Sequence, residues 1–248
     1  MQSGLASRSQ LETRIVDSAA VSGPLKEALF GLFSTYYRDV DRNRFEADLR
    51  GKDYILLLEQ GGLPVGFTTA RIYPFDWRGE TVSVLFSGDT IVDRAFWGEQ
   101  QLAQEWLKQV GRLARREQPG RRLVWFLIVK GHRTYRYLPV FAQAYVPAEG
   151  GQPPGDLLDL RNALAAAQFG ASFDPHTGVI RFAAPQGRLE PAWVEPTARE
   201  LRLPGVAYFL RANPGFRAGD ELACLCELSP ANMRKRARQW FDAGYNDG

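Results

Sequence analysis

The chain has 248 residues, a formal net charge of +3, 45% hydrophobic and 12% aromatic residues. That is enough for one large domain or two small ones around a real core, and too little charge to argue for nucleic acid. No apolar run approaches the ~20 residues of a membrane-spanning helix, and the first residues, "MQSGLASRSQLETRIVD", lack the apolar segment of a secretory signal; a cytoplasmic protein is expected.

"GPLKEALFGLFSTYYRDV" predicts a helix, with Leu25, Leu29, Leu32, Phe33 and Tyr36 on one stripe and Pro24 suited to its first turn. "RNRFEADLRGKD" predicts a short second helix ending near Gly51. The period then changes. "YILLLEQGGLPVGFTTARIY" reads as two strands joined at Gln60-Gly61-Gly62, and Thr81 to Val92 as a third. From about Phe96 a long helix follows, with Leu102, Trp106, Val110 and Leu113 on one face, stopping before Pro119-Gly120.

"RRLVWFLIV" is a continuous apolar run, as expected of a central strand buried on both faces. "GHRTYRYLPVFAQAY" reads as a helix or irregular turn broken near Pro139. Val146 to Asp156 is a Pro- and Gly-rich linker, after which Asp156 is placed to cap a helix ending at Gly170. "ASFDPHTGVIRF" reads as strand, turn and strand, and "VAYFLRANPGFRAGDELACLCEL" as a hairpin with Pro214 and Gly215 in its loop. Ser229-Pro230 starts the last, basic helix. Cys224 and Cys226 share a strand face and make a poor disulfide; with His132 and His176 they show no metal-ligand spacing.

Three stretches resemble the GNAT superfamily of N-acetyltransferases: "GGLPVGFTTARIY", "DTIVDRAFWGEQQLAQEWL" and "LVWFLIVKGHRTYRYLPVFAQA". The resemblance covers about Leu25 to Val146, with Val206 to Leu228 as a closing hairpin. It implies an α/β fold (α+β): a mixed, mostly antiparallel sheet flanked by helices, with a C-terminal extension. Residues 1–147 would form the acyl-donor-binding core, 148–205 an inserted or lid segment, and 206–248 the closing hairpin and basic helix. The strands ending at Val92 and running over Leu123 to Val129 are expected to be parallel neighbours that splay apart at their C-terminal ends. Asp89, Val92, Lys130 and Tyr137 would line the cleft between them.

The resemblance further implies acyl transfer from acetyl-coenzyme A, or a longer acyl-coenzyme A, to a small-molecule amine. An acyl carrier protein is a variant donor. The turn after the fourth strand would cradle the cofactor's pyrophosphate on free N–H groups at the helix start. That assigns donor binding to Val92, Arg94, Phe96, Gly98 and Glu99, with Lys130 across the cleft. Trp97 stands where the family has Arg or Gln, and Gln100 where it has a second Gly. Tyr137 falls nearest the family's acid, with Tyr135 as an alternate; Asp89 and His132 are the candidate bases. Lys108, Arg112, Arg115 and Arg116 share one helix face and offer phosphates, or an acidic carrier protein, a landing site. The competing reading is a non-catalytic binding protein that keeps the fold and has lost the motif glycines.

Overall fold

The computed structural model describes residues 10–117, 120–150, 155–184 and 186–247. Pro119 and residues 151–154 of the predicted linker lie outside the described residues. The leading strands are β1 (Leu11–Asp17), β2 (Tyr54–Gln60), β3 (Leu63–Trp77), β4 (Glu80–Val92), β5 (Leu123–Val129) and β6 (Glu221–Glu227). They lie side by side in that order, followed by short strands at Val179–Ile180 and Phe173–Asp174. Neighbours pair antiparallel except β4 and β5, which are parallel. This is the mixed, mostly antiparallel arrangement expected.

Local chemistry explains the elements. Helix α1 (Gly23–Tyr36) starts where Ser22 Oγ accepts from Leu25 N at 3.4 Å and Pro24 occupies the first turn. Asp41 caps α2 (Arg42–Arg50) by accepting from Arg44 N at 2.8 Å. The β2–β3 turn puts Gly61 and Gly62 at φ +57° and +80°, a conformation that glycine adopts without strain. Helix α3 (Gln101–Arg116) carries the chain from β4 back to β5, the crossover that a parallel pair requires.

The sheet has two covered faces. On one, Leu56, Leu58, Leu85, Trp125 and Leu127 meet α3, the short helix α5 (Tyr137–Phe141) and the C-terminal helix, through Trp106, Phe141 and Phe241. On the other, Ile55, Leu57, Phe67 and Ile91 meet α1 and α2, while Val84, Phe86, Val124 and Phe126 meet α6 (Leu157–Phe169).

Several expectations need correction. The N-terminal edge strand β1 went unread because Glu12 and Arg14 interrupt its apolar pattern; Arg14 pairs with Glu59 on β2 at 2.6 Å. The long helix begins at Gln101, five residues after Phe96. Residues Arg94–Phe96 form a 3₁₀ turn whose cap, Asp93, accepts from Ala95 N. The segment after β5 breaks at Arg136, between α4 (His132–Tyr135) and α5, and Pro139 sits inside α5.

Asp156 stands at the start of α6 without capping it, because its carboxylate instead accepts from Trp77 Nε1 at 2.8 Å and pairs with Arg122 at 2.9 Å. The expected closing hairpin is half helix: α7 (Pro204–Ala212) replaces its first strand. Pro204 favours a helix start, and Val206 and Phe209, three apart, are both fully buried. Its second half, β6, pairs with β5 as a central strand, with Cys224 and Cys226 buried and unbridged. The last helix, α8 (Lys235–Asp247), starts six residues beyond Ser229. Among the described residues no helix is long and apolar enough to cross a membrane.

Candidate active site

Strands β4 and β5 pair from Ser83↔Leu123 to Ser87↔Leu127 and no further. Beyond that point β4 continues to Val92 beside β3 alone. The expected splay is therefore present, and the β5-facing edge of β4 is open from Gly88 onward. At the same place β4 carries a bulge: Thr68 faces Thr90 and Ala70 faces Ser87, so Thr69 stands opposite both Gly88 and Asp89.

One extra residue turns the following side chains to the other face. Leu85 belongs to the α3 side, and Ser87 Oγ accepts from Trp125 Nε1 there at 2.7 Å. Ile91, also odd-numbered, belongs to the α1–α2 side. Asp89 follows Ile91, not Ser87. Gly88 permits this: a Cβ there would collide with Thr69 Oγ1 and Lys52 Cε.

A cavity of about 570 Å³ lies on the α3 side of the fork, between α3, α4–α5 and α8. Val92, Phe96, Trp97, Gly98 and Glu99 line it from the β4–α3 turn, and His132 and Tyr137 from the opposite wall. Gly98 has φ +104°, where a side chain would be strained. The start of α3 faces this space, and the Gln100 side chain does not cap its first-turn N–H groups. Arg133, Arg136 and Arg236 add positive charge, against Glu99 and Glu200.

Glu200 ties the wall together. Burial works against its charge, but bonds from Thr197 and the charge of Arg133 hold it down to about 2. Arg133 also donates to Trp193 O at 2.6 Å and lies over the Trp97 ring at 4.5 Å. His132 is buried, its Nε2 3.4 Å from Glu200 Oε1, and neither ring nitrogen makes a hydrogen bond. Burial, then the charge of Arg133, lowers its pKa, so the imidazole is neutral. Burial raises that of Tyr137, keeping its phenol protonated.

The second cavity, about 290 Å³, lies on the other face between α1–α2 and α6. Its carboxylates come from Asp39, Asp41, Asp48, Asp89 and Glu221, its cations from Arg44, Lys52 and Lys130. Burial foremost, then the charge of Asp48, pushes the Asp89 carboxyl up to about 6, while Lys130 and Lys52 pull the other way. Tyr37, Thr90 and Thr134 line both cavities.

The four residues expected in one cleft are thus divided by the sheet. Val92 and Tyr137 line the α3-side cavity; Asp89 and Lys130 line the other. The donor-side placement of Lys130 is corrected: its ammonium pairs with Glu221 at 3.1 Å and donates to Gln186 O at 3.0 Å. Arg94 lies outside both cavities, its N–H bonded to Tyr36 Oη at 2.6 Å and its guanidinium over Trp193 at 5.0 Å. Asp89 and His132 fall on opposite faces. Tyr135 is fully buried and donates to Pro147 O at 2.7 Å, away from either cavity.

The basic face of α3 is engaged elsewhere. Lys108 and Arg112 pair with Glu105 at 3.3 and 2.8 Å, and Lys108 and Arg115 lie over Trp240 and Tyr245 of α8. Arg133, Trp193, Glu200 and Trp240 were not read from the sequence as site residues. No spacing links Arg133, Trp193 and Glu200; Trp240 lies one helical turn after Arg236, in the last helix whose basic turn was read as a possible phosphate landing site.

No protein-family model matches the chain, and no curated protein matches it. Among solved structures it is similar to a conserved Enterococcus faecalis protein described as a probable N-acyltransferase. That match has 13% identity and a TM-score of 0.41 over 54% of this chain, and spans only 33% of the other. The Escherichia coli GNAT-family N-acetyltransferase YhbS, solved with CoA, is 15% identical, with a TM-score of 0.37 over 57% of this chain and 72% of that one. Escherichia coli ElaA is 17% identical, with a TM-score of 0.37 over 58% and 95%.

Proposed function

We propose that this protein transfers an acyl group from acyl-coenzyme A to an amine. The observation that carries the reading is the fork: an open β4 edge with one cavity on each face of the sheet, three residues common to both. In this reading the donor lies in the α3-side cavity. Its amide-bearing arm runs along the unpaired edge of β4, as an added strand would. Its phosphates meet the first turn of α3, with Arg133, Arg136 and Arg236 nearby. The thioester reaches the fork, and the amine approaches from the other face.

The amine nitrogen attacks the thioester carbon and the C–S bond breaks. An amine that arrives as an ammonium first releases one proton to solvent; Asp89 takes the proton that the attacking nitrogen then loses, and a carboxyl at about 6 is a stronger base than an ordinary one while still ionised at neutral pH. Tyr137, neutral in its wall, supplies a proton to the departing thiolate. His132 is not assigned a proton-transfer role, because it sits on the donor face.

A second reading, a fold that binds the donor without transferring the acyl group, is favoured by the turn itself. Trp97 Nε1 already takes the Val92 carbonyl at 2.8 Å, and the Glu99 carboxylate faces the proposed phosphate site. One experiment separates the two. Calorimetry establishes acetyl-coenzyme A binding; the protein is then incubated with acetyl-coenzyme A and a panel of amines. Thiol release is followed and N-acyl products are sought by mass spectrometry. Acyl transfer requires both, and loss of both in Asp89→Asn. Binding without thiol release selects the second reading, and absence of binding rejects both.

A further inference from the structure

The α1–α2 side cavity shows what kind of amine the reaction would use. Four of its five carboxylates are already engaged. Asp39 pairs with Arg188 at 2.7 Å, Asp41 caps α2, Asp48 pairs with Lys52 at 2.5 Å, and Glu221 pairs with Lys130 at 3.1 Å. Among the described residues, Asp89 alone of the five has neither an ion pair nor a side-chain hydrogen bond. The bulge holds it half-buried, at the fork where acyl transfer would occur. One unmatched carboxylate accommodates one ammonium; a second cationic centre would find only carboxylates that already have partners, with Lys52 and Lys130 close by.

Beside its charged groups and Thr90, Thr134, Gln168 and Gln186, the wall carries a cluster of aromatic rings. Phe33, Phe45 and Phe86 are buried, and Phe169 and Phe182, in T-shaped contact at 6.0 Å, close the α6 side. At about 290 Å³ the space is at the lower end for small-molecule sites, so it holds a single compact body. We infer that the acceptor is a primary monoamine on an apolar, ring-sized body, its ammonium on Asp89 and its body among Phe86, Phe169 and Phe182. Amines with several charges, such as polyamines and amino sugars, are disfavoured by the same count. The inference rests on the acyl-transfer reading for the acceptor's role, and on the cavity alone for its chemistry.

The test is calorimetric titration of the full chain at pH 7.5 with phenethylamine, 2-phenylethanol and spermidine, and separately with acetyl-coenzyme A. Phenethylamine should bind at least about tenfold tighter than the alcohol, the worth of one charge-assisted contact, and tighter than spermidine. Asp89→Asn should bring amine and alcohol together while acetyl-coenzyme A still binds.

A second readout needs no variant. As pH falls below about 6, the wild type should lose amine affinity about tenfold per unit while the alcohol is unaffected, since protonated Asp89 cannot pair with an ammonium. The other charged or titratable groups that line the cavity with it are Tyr37, Asp39, Asp41, Arg44, Asp48, Lys52, Lys130 and Glu221, of which Asp48–Lys52 and Lys130–Glu221 are internal pairs. Equal binding of amine and alcohol, tighter binding of spermidine, or amine affinity that ignores both pH and Asp89→Asn overturns the inference. If acetyl-coenzyme A binds and phenethylamine does not, the acceptor assignment fails and the acyl-transfer reading stands. If phenethylamine binds as expected and acetyl-coenzyme A does not, the acyl-transfer reading fails and the amine site stands.

Discussion

The two cavities meet at the fork yet differ in how they are built. The α3-side cavity is about twice as large, walled by Phe96, Trp97, Tyr137, Trp193 and Trp240, with Arg133, Arg136 and Arg236 in its lining. Its other side is small and charged, but all its carboxylates except Asp89 have partners. A long, anionic, amide-bearing molecule suits the first, and a compact cation the second. The bulge at Gly88–Asp89 makes the difference, because it sends one carboxylate to the face opposite the tyrosine.

If that division of labour is right, the two sides will fail separately. The largest effect is expected for Asp89→Asn. Turnover should fall about 10²–10⁴-fold, the usual worth of a general base, with acetyl-coenzyme A affinity unchanged. Steady-state kinetics and calorimetry on one preparation check both. A drop in donor affinity would mean that the carboxylate serves the wrong cavity.

Gly111→Val attacks the donor side through its scaffold. Helices α3 and α8 touch backbone to backbone, and a Cβ at Gly111 would collide with the Phe241 carbonyl. A loss of about 3 kcal/mol or more is expected by thermal unfolding, an overpacking cost with no flexible side chain to absorb it. Donor affinity should fall with it, because α8 carries Arg236 and Trp240 to the cavity.

The tyrosine pair gives a finer contrast. Tyr137→Phe should lower turnover about 10²-fold with little change in stability. Tyr135→Phe should leave turnover alone and cost about 1 kcal/mol, since it loses the bond to Pro147 O. Equal turnover in both variants and wild type would remove Tyr137 as the acid.

The smallest effect concerns pH. Burial raises the Asp89 carboxyl to about 6 in the folded chain, above its ordinary value near 4. The folded state therefore holds this proton more tightly, and its stability falls as pH rises between those values. Asp89→Asn removes that cost. The variant should be about 1–2 kcal/mol more stable at pH 8, with the gain gone near pH 4, read from denaturant unfolding at both.

Much of the core was legible in the sequence. The Gly61-Gly62 turn, the period change from β4 to α3 and the unbroken apolar run of β5 each have a local cause, so each can be read locally. The site was legible only in part. Asp89 and Tyr137 stand out as residues, but alternation alone would put Asp89 on the face of Leu85 and Ser87. The bulge that moves it depends on pairing with Thr68–Ala70. Trp193 and Glu200 reach the α3-side cavity from a Pro-rich segment without periodicity. The basic face of α3 misled for a related reason: its partners, Trp240 and Tyr245, lie more than a hundred residues on.

The central claim is that an acyl-coenzyme A donor occupies the α3 face of the fork, and hydrogen exchange with and without coenzyme A tests it most directly. The account predicts protection concentrated in residues 88–104 and 131–141, where the open β4 edge, the start of α3 and the α4–α5 wall meet the ligand. Residues 38–52, on the other face, should change little. Protection centred on 38–52, with none at the start of α3, would contradict it.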